Sequence, residues 1–384
     1  MKKIIYFDNA ATTALHTDVL TSMTPYFCDE FANPAGADKS ARVSENAINR
    51  ARTQAARLIG ARPDEIYFTS GGSESDNWAI KSFSRSIRKK RMGASCHIIT
   101  TSIEHNAVLN SCRTLESEGF TVTYLPCDKY GFIHPETLQA AIRDDTILIS
   151  VMAANNEVGS IQPLKAIGQI ARRHQIVFHT DAVQAYGHIP INVNECMIDM
   201  LSMSAHKLHG PKGVGFLYIR NGLELPSYID GGSQENGHRA GTSNVPGIVG
   251  LGKACEIAAR NMQKNINSMT RLRNRLIYQI RQGLPNAVLT GSEQMRLPNN
   301  VSFCFPGVES AQLLSILDSH GICASAGSAC STGAAGPSHV LIAMGIDYNL
   351  AGGSLRLTLS GENTMQEVDF VAETVIKAVK RLSI

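Results

Sequence analysis

The chain has 384 residues, of which 43% are hydrophobic, and its formal net charge at pH 7 is +3. This length allows two or three domains and a sizeable buried core. Because the charge is small and scattered, the composition gives no electrostatic reason to expect nucleic-acid or membrane partners.

The amino terminus and the cysteines bear on location. Asp8 interrupts the first apolar stretch before it reaches signal-peptide length, and no apolar run approaches the roughly 20 residues of a transmembrane helix. The nine cysteines include no Cys-x-x-Cys pair and no His/Cys cluster at zinc spacing. We therefore expect a cytoplasmic protein without a metal site, in which most cysteines are buried thiols.

Strand-like and helical patterns alternate along the first part of the chain. A helical pattern covers 44–59, and apolar strand-like runs follow at 66–69, 97–101, 121–125, 146–152, 176–179, 200–204 and 214–219. This alternation predicts an α/β fold with a largely parallel sheet covered on both faces. In such sheets ligands bind beyond the carboxyl ends of the strands.

The remainder of the chain predicts a smaller α+β unit. A glycine-rich segment at 231–247 precedes a long amphipathic helix from 248 to about 282, followed by strands at 300–305 and 354–359, a helix at 310–319 and a terminal helix from Thr364. We place a large cofactor-binding domain at 16–260 and a small domain at 1–15 and 261–384. The segment 247–254 has the glycine spacing of a P-loop but lacks its Ser/Thr, so we interpret it as helix packing.

A lysine follows one of the buried strands. The apolar run at 199–203 leads into Ser204, His206 and Lys207. A lysine at the end of a buried strand is partly desolvated, which lowers its pKa and makes the amine a nucleophile that can form a Schiff base with a carbonyl. Taken alone, a surface lysine is the competing interpretation.

Two other strand ends complete a pattern. The run at 176–180 ends at Asp181, which could face the protonated ring nitrogen of pyridoxal phosphate, and Gln184 could donate to the phenolic oxygen of that ring. The segment 68–77 runs from a strand through Gly72 into a helix, where Ser73 and Asp76 have the spacing of a capping box. Free N–H groups at such a helix start bind phosphate well.

Cys330 lies in a segment, 324–341, of small and glycine-bearing sequence that ends in a proline before a helix. This composition predicts a mobile loop that carries a reactive thiol. A small buried hydrophobic role is the alternative for any single cysteine.

At this point the motifs carry a resemblance. The stretches 69–77, 103–109, 155–159 and 204–207 are similar to those of cysteine desulfurases, pyridoxal-phosphate enzymes of the class V aminotransferase group, and the likeness runs from Asp8 to Arg356. It implies a fold type I pyridoxal-phosphate transferase, with a seven-stranded mainly parallel sheet in the large domain. The small α+β domain would carry the loop of Cys330.

The resemblance also implies a reaction. L-cysteine would displace Lys207 from the cofactor, and Lys207 would then move the Cα proton, with His105 stacked on the ring and assisting. Cys330 would attack the substrate sulfur and keep it as a persulfide while L-alanine leaves. A sulfur-acceptor protein of iron–sulfur cluster assembly or tRNA thiolation would receive the sulfur. The alternatives are a selenocysteine lyase or other class V lyase or transaminase, and a catalytically silent scaffold.

Further residue roles are implied by matching motif positions. Gly72, Ser73, Ser204 and His206 would hold the phosphate, and Asn155 would contact the phenolic oxygen and the substrate carboxylate. Thr242 would reach the phosphate of a partner subunit, which makes a homodimer necessary. Arg356 would bind the substrate carboxylate bidentately, a surface ion pair being its alternative.

The sequence departs from the family pattern at four positions. Asp38 stands where a histidine is usual, Ala41 and Ser360 where glycines are usual, and Asn236 where an arginine is usual. These positions lie outside the cofactor set. They bear on substrate preference, including cysteine versus selenocysteine, and on the delivery partner.

Overall fold

The computed structural model describes residues 4–327 and 336–383. Within these ranges the strands are β1 Ile5–Tyr6, β2 Ile66–Thr69, β3 His97–Thr101, β4 Thr121–Leu125, β5 Thr146–Ser150, β6 Val177–Asp181, β7 Met200–Ser204, β8 Gly215–Ile219, β9 Val288–Leu289, β10 Asn300–Cys304, β11 Ile322–Cys323 and β12 Ser354–Thr358.

The α-helices of the same ranges are α1 Thr17–Met23, α2 Pro25–Cys28, α3 Lys39–Leu58, α4 Gly72–Asn77, α5 Phe83–Lys90, α6 Asn106–Ser117, α7 Pro135–Ala141, α8 Leu164–Arg173, α9 Val245–Gly283, α10 Ser310–Ser319, α11 His339–Ala343, α12 Tyr348–Gly352 and α13 Met365–Leu382. A π-helical turn, Trp78–Ser82, joins α4 to α5. None of these helices has both the length and the apolar run needed to cross a bilayer.

The large sheet has seven strands in the order β2-β8-β7-β6-β5-β3-β4. All neighbours pair in parallel except β8, which is antiparallel to both β2 and β7. The predicted α/β fold with a seven-stranded, mainly parallel sheet is therefore confirmed. Strands β5 and β7 are buried along their whole length, and β6 is buried at all but Val177, as expected when helices cover both faces.

The parallel strands bring their carboxyl ends to one edge of this sheet. β6 ends at Asp181, and in the register of the sheet Asp181 pairs with Ser202 of β7. β7 ends at Ser204, and the chain then turns through the short 3₁₀ helix Ala205–Lys207. The site residues predicted after β6 and after β7 therefore lie on adjacent turns at this edge.

A second, smaller part of the structure is built on the antiparallel sheet β12-β10-β9 and the parallel pair β1-β11. Its hydrophobic cluster combines Phe7 with residues from Leu272 onward, including Leu276, Phe303 and Val371. The core of the large sheet also takes Cys304 and Val340 from this part of the chain. The domain boundaries drawn from the sequence thus stay a prediction.

Helix α9 packs closely through its glycines. A Cβ at Gly252 would lie 2.5 Å from the Cα of Ala51 in α3, and one at Gly250 would lie 2.6 Å from the sulfur of Met23 in α1. The stretch with P-loop spacing therefore serves helix packing, as predicted.

The four departures from the family pattern have local structural roles. Asp38 caps α3 by accepting a hydrogen bond of 2.9 Å from the amide of Ala41, which explains why the helix begins five residues before the predicted start. Ala41 is fully buried. Asn236 adopts a left-handed conformation with φ of 56°, which asparagine tolerates. The amide of Ser360 donates to Asn363 at 2.7 Å.

Candidate active site

A cavity of about 760 Å³ opens where the strands of the large sheet end. Its wall includes most of the site residues predicted from the sequence, together with Ala10, Ala11 and Thr12 near the amino terminus. The predicted residues in the wall are Gly72, Ser73, His105, Asp181, Gln184, Ser204, His206, Lys207 and Arg356.

Lys207 lies just beyond the end of β7, as its sequence position predicted. Its Nζ donates hydrogen bonds to the carbonyl oxygens of Ala10 at 2.5 Å and Ala11 at 2.7 Å. The side chain is half-buried. The amino-terminal segment therefore aims the amine along the cavity wall.

Asp181 and Gln184 follow on the next strand end. Asp181 is 6% exposed, and one of its carboxyl oxygens accepts from the amide of Val183 at 2.9 Å. Burial raises the pKa of Asp181, and interactions with His105, the amide of Val183 and Lys207 oppose that shift. Gln184 donates its side-chain amide to the carbonyl of Ala10 at 3.0 Å.

The turn after β2 forms a glycine-lined concavity. Gly71 precedes α4 with φ of 148°, and a Cβ at Gly72 would lie only 2.6 Å from a methyl group of Val183. Glycine lets this backbone approach a bound group closely. The predicted capping box is wrong. Gly71 is the N-cap, Ser73 is the second helical residue, and Asp76 turns inward and is buried.

His206 closes the other side of this concavity. Its Nδ1 lies 3.1 Å from the hydroxyl of Thr12. Burial, followed by the charges of Lys207 and Lys212, lowers the pKa of His206 to about 4. The imidazole is therefore neutral at pH 7 and interacts through hydrogen bonds.

His105 is the N-cap of α6, and its Nδ1 accepts from the amide of Ala107 at 3.2 Å. In the neutral ring the proton is therefore on Nε2. A ring nitrogen of His105 and one carboxyl oxygen from each of Asp76 and Asp181 lie within 4.8 Å of one another. Three titratable groups thus share the floor of the cavity.

Arg356 projects from β12 and is 2% exposed, which rules out the surface ion pair considered from the sequence. Its Nη1 donates to the carbonyls of Asn156 at 3.1 Å and Gly327 at 2.8 Å, and its Nη2 donates to Asp8 at 2.8 Å. Its Nε has no hydrogen-bond partner among residues 4–327 and 336–383. One edge of the guanidinium fork is therefore only partly used.

Asn155 differs from its expected placement. It is fully buried and is not part of the cavity wall. Its side-chain oxygen accepts from the backbone amides of Glu157 and Val158, and its side-chain NH2 donates to the backbone carbonyl of Ile103. Asn156 and Glu157 line the cavity instead, so contacts of Asn155 with cofactor and substrate remain predictions.

Two further predicted residues are Thr242 and Cys330. Thr242 is exposed, on the loop before α9, and is not among the cavity residues of this single chain. Cys330 lies outside the described residues. The described chain on either side of it contacts the cavity wall. The carbonyl of Gly327 accepts from Arg356, and Ser338, which lines the cavity, donates its hydroxyl to Glu157.

Sequence reasoning missed several acidic groups at the site. Asp8 pairs with Arg356, Glu157 accepts from Ser338, and Glu104 is fully buried next to the cavity floor. Glu104 and Glu157 belong to the motif stretches quoted for the resemblance, but their burial was not evident because acids are seldom fully buried. Their position next to cavity residues was the available signal.

The residues present fit pyridoxal phosphate. The wall offers an amine, a carboxylate beside it, and a glycine-lined helix start flanked by Ser204 and His206. The methyl of Val183 shows that the helix start has no space for a side chain at position 72. These groups match the aldehyde, ring nitrogen and phosphate of the cofactor.

The chain was compared with known families and proteins. Residues 5–371 match the family model described as Aminotransferase class-V. The protein named Cysteine desulfurase IscS of Methanosarcina thermophila is 51% identical over 380 residues, covering 99% of this chain and 93% of that relative. Cysteine desulfurase of a Nostoc species is 43% identical over 379 residues, covering 99% and 94%.

Solved structures agree with these relatives. One described as a NifS-like protein has a TM-score of 0.92 at 37% identity and covers 99% of this chain and 100% of its own. Another, described as SspA in complex with cysteine, has a TM-score of 0.82 at 39% identity and covers 95% and 100%. The chain belongs to the class V aminotransferase family and, within it, to the pyridoxal-phosphate-dependent cysteine desulfurases.

Proposed function

We propose that this enzyme takes the sulfur atom of L-cysteine, releases L-alanine, and passes the sulfur through Cys330 to an acceptor protein. The observation that carries the proposal is that Lys207, Asp181 and Arg356 share one cavity. An amine, a carboxylate and a buried guanidinium are the groups needed to bind pyridoxal phosphate and a small amino acid.

The cofactor would be held by the groups already described. Lys207 would bind its aldehyde carbon, Asp181 would face its ring nitrogen, and Gln184 would approach its phenolic oxygen. Gly72, Ser73, Ser204 and His206 would contact its phosphate. When bound, it supplies the electron sink for bonds broken at the substrate.

Lys207 and His105 handle protons in this proposal. The Lys207 amine, once free, takes the Cα proton of the substrate, a form of general base catalysis typically worth about 10²- to 10⁴-fold. The carbonyls of Ala10 and Ala11 hold that amine on the cavity wall. His105 assists as a donor through Nε2, since its Nδ1 is occupied by the amide of Ala107.

Arg356 would bind the substrate carboxylate. The Nε and Nη2 groups form one edge of the guanidinium, and a carboxylate can bind such an edge bidentately. Nη2 now donates to Asp8. An incoming carboxylate would therefore share or replace the contact with Asp8, in a buried place where charge-assisted hydrogen bonds are strong.

Cys330 would accept the sulfur. Its thiolate attacks the substrate sulfur, an S–S bond forms, and the C–S bond breaks with its electron pair left on the carbon skeleton. Arg356 and Glu157 fix the described chain on both sides of Cys330, through Gly327 and Ser338. This anchoring supports a role for the intervening segment at the cavity.

We further propose a homodimer in which Thr242 contacts the phosphate bound by a second copy. The exposure of Thr242, and its separation from the cavity of its own chain, support this arrangement. A Thr242→Ala variant should bind pyridoxal phosphate more weakly while sedimenting as a dimer. Unchanged cofactor affinity would remove Thr242 from the site. The acceptor would be a cytoplasmic protein of iron–sulfur cluster assembly or tRNA thiolation.

The decisive experiment compares the Cys330→Ala variant with the native protein. Purified enzyme is mixed with L-cysteine and a thiol reductant, and alanine and sulfide are measured. The native protein should produce both, and Cys330→Ala should produce neither. Cys28→Ala, which alters an exposed cysteine of α2, is the control and should match the native protein.

Two other outcomes would support the alternative functions considered from the sequence. Undiminished sulfide release by Cys330→Ala would indicate a lyase that does not need the thiol, such as a selenocysteine lyase. Absence of alanine with the native protein would indicate a silent scaffold.

A further inference from the structure

Asp76 lies at the cavity floor, against a layer of buried polar side chains beneath it. Asp76 of α4 is 1% exposed, and His179 of β6 and Glu104 after β3 are completely buried. His179 Nδ1 lies 2.9 Å from the hydroxyl of Ser150, and its Nε2 lies 3.0 Å from the hydroxyl of Ser202. These contacts fix the layer from the sheet side.

His179 does not neutralise Asp76. Its Nε2 is 3.6 Å from Asp76 Oδ1, which is beyond ordinary hydrogen-bond length. Burial lowers the pKa of His179 to about 3, so the ring is uncharged at pH 7. Asp76 therefore faces a neutral imidazole on this side.

Asp76 also faces His105, a ring nitrogen of which lies within 4.8 Å of a carboxyl oxygen, and two acidic groups. Asp181 and Glu104 both raise the pKa of Asp76, after the larger effect of burial, and a hydrogen bond from Ser202 opposes them. Asp181, by contrast, also interacts with Lys207, and His105 and Lys207 both lower its pKa. Two buried carboxyl groups this close do not both ionise readily, and the Lys207 amine favours the charge on Asp181.

One oxygen of Asp76 is also without a partner. Oδ1 is buried and makes no hydrogen bond to any residue in 4–327 or 336–383. An ionised carboxylate oxygen in this state would be very costly, whereas a neutral acid tolerates it far better. The missing partner of Oδ1 thus favours a neutral Asp76 and leaves the negative charge on Asp181.

We propose that Asp76 is a positioning residue: a neutral carboxylic acid that leaves the single negative charge of the pair on Asp181. The inference rests on the proposed function, because the charge of Asp181 acts through the ring nitrogen of the cofactor. It assigns Asp76 a task that the motif stretch around it did not reveal.

The protonation state is tested by infrared spectroscopy of the full-length protein as purified, with or without cofactor. Asp76→Asn should remove a carbonyl-stretch band of a protonated carboxylic acid at neutral pH. Glu104→Gln is the matched control, because burial raises the pKa of Glu104 to about 8 and this acid should contribute a separate protonated band. Loss of only an ionised-carboxylate band in Asp76→Asn would overturn the proposal.

The effect on the cofactor is tested by pyridoxal phosphate titration of the holoenzyme variants. Asp76→Asn keeps a neutral group of the same shape and should retain the native dissociation constant within about 3-fold. Asp76→Leu removes the hydrogen-bonding group and should weaken binding about 10-fold and shift the pH midpoint of the cofactor's visible absorption. Asp181→Asn should weaken binding more than either.

These readouts separate the possible failures. If Asp76→Asn weakens cofactor binding as much as Asp181→Asn, Asp76 carries charge and the proposal is wrong. If zinc alone binds the native protein but not Asp76→Asn, the cluster is a metal site and the proposal is equally wrong. If the native protein binds no pyridoxal phosphate, the proposed function fails while the infrared bands still report on Asp76.

Discussion

The wall of the cavity and the layer beneath it differ in kind. The wall carries groups whose charges or hydrogen bonds are open to a ligand, such as Lys207 and Arg356. The layer beneath consists of buried, mostly neutral groups, such as His179 and Glu104, that bond to serine and threonine hydroxyls or backbone amides. His179 and Glu104 are not part of the cavity wall, so they act on a bound ligand only through wall residues that they contact, such as Asp76 and Met152.

The strongest test of the wall is Lys207→Ala. Because Lys207 would both bind the cofactor and move the proton, we expect alanine formation to fall by about 10³-fold or more. Reduction with borohydride followed by peptide mass analysis should show the cofactor on residue 207 of the native protein only. Lys165→Ala, on the exposed face of α8, is the control. An unmodified Lys207 in the native protein would contradict the assignment.

A change of Arg356 should have the next largest effect. Arg356→Lys keeps the charge but loses the planar fork, so the KM for L-cysteine should rise about 10- to 100-fold with a smaller change in kcat. Steady-state kinetics measure this division. Arg356 also holds Asn156 and Gly327, so thermal unfolding of the variant is measured in parallel. An unchanged KM in a well-folded variant would remove Arg356 from substrate binding.

Glu104 tests the layer beneath. Burial raises its pKa from 4.5 to about 8, so the folded protein keeps a proton that the unfolded chain loses above about pH 4.5. The free energy of unfolding should therefore fall between these pH values, by at most about 1.4 kcal/mol per pH unit. Glu104→Gln should remove this fall, as denaturant titrations at about pH 5 and about pH 8 would show.

The pattern of hydrogen bonds supports the choice of glutamine. Glu104 Oε1 accepts from the hydroxyl of Thr101 and the amide of Met152, and Oε2 has no partner in the described ranges. Glutamine preserves the accepting oxygen. An equal pH dependence in both proteins would show that Glu104 is ionised in the folded state.

The smallest effect is expected far from both regions. Thr364 caps α13 in a capping box with Glu367. Thr364→Ala should lower the free energy of unfolding by about 1 kcal/mol and leave cofactor affinity unchanged. A thermal melt and a cofactor titration measure the two quantities. Loss of cofactor binding in Thr364→Ala would mean that cofactor affinity follows the overall stability of the protein and does not report specifically on the cavity wall or the layer beneath it.

The sequence predicted the wall well because its residues follow recognisable strand ends. Asp181 and Lys207 each come after an apolar run, and glycines mark the turn before α4. Parallel strands bring such positions together in any fold of this class. The seven strands were also predictable, since fully buried strands are continuous apolar runs.

The buried layer could not be predicted in the same way. Asp76 was expected to cap a helix because the spacing from Ser73 fitted, but the backbone of Gly71 takes that position and the carboxyl group turns inward. His179 looked like part of an apolar strand. The side-chain oxygen of Asn155 is used inside its own turn, and its side-chain NH2 donates to the carbonyl of Ile103. These outcomes depend on tertiary packing, which local spacing does not encode.

Helix α9 has a consequence for dissecting the protein into fragments. Its first half packs into the core of the large sheet through residues such as Leu251, and its second half packs into the other core through Leu272 and Leu276. Its 39 residues span roughly 58 Å as one continuous rod. A fragment that stopped at residue 260 would sever this rod, strip the second core of one wall, and leave neither half able to fold as it does in the intact enzyme.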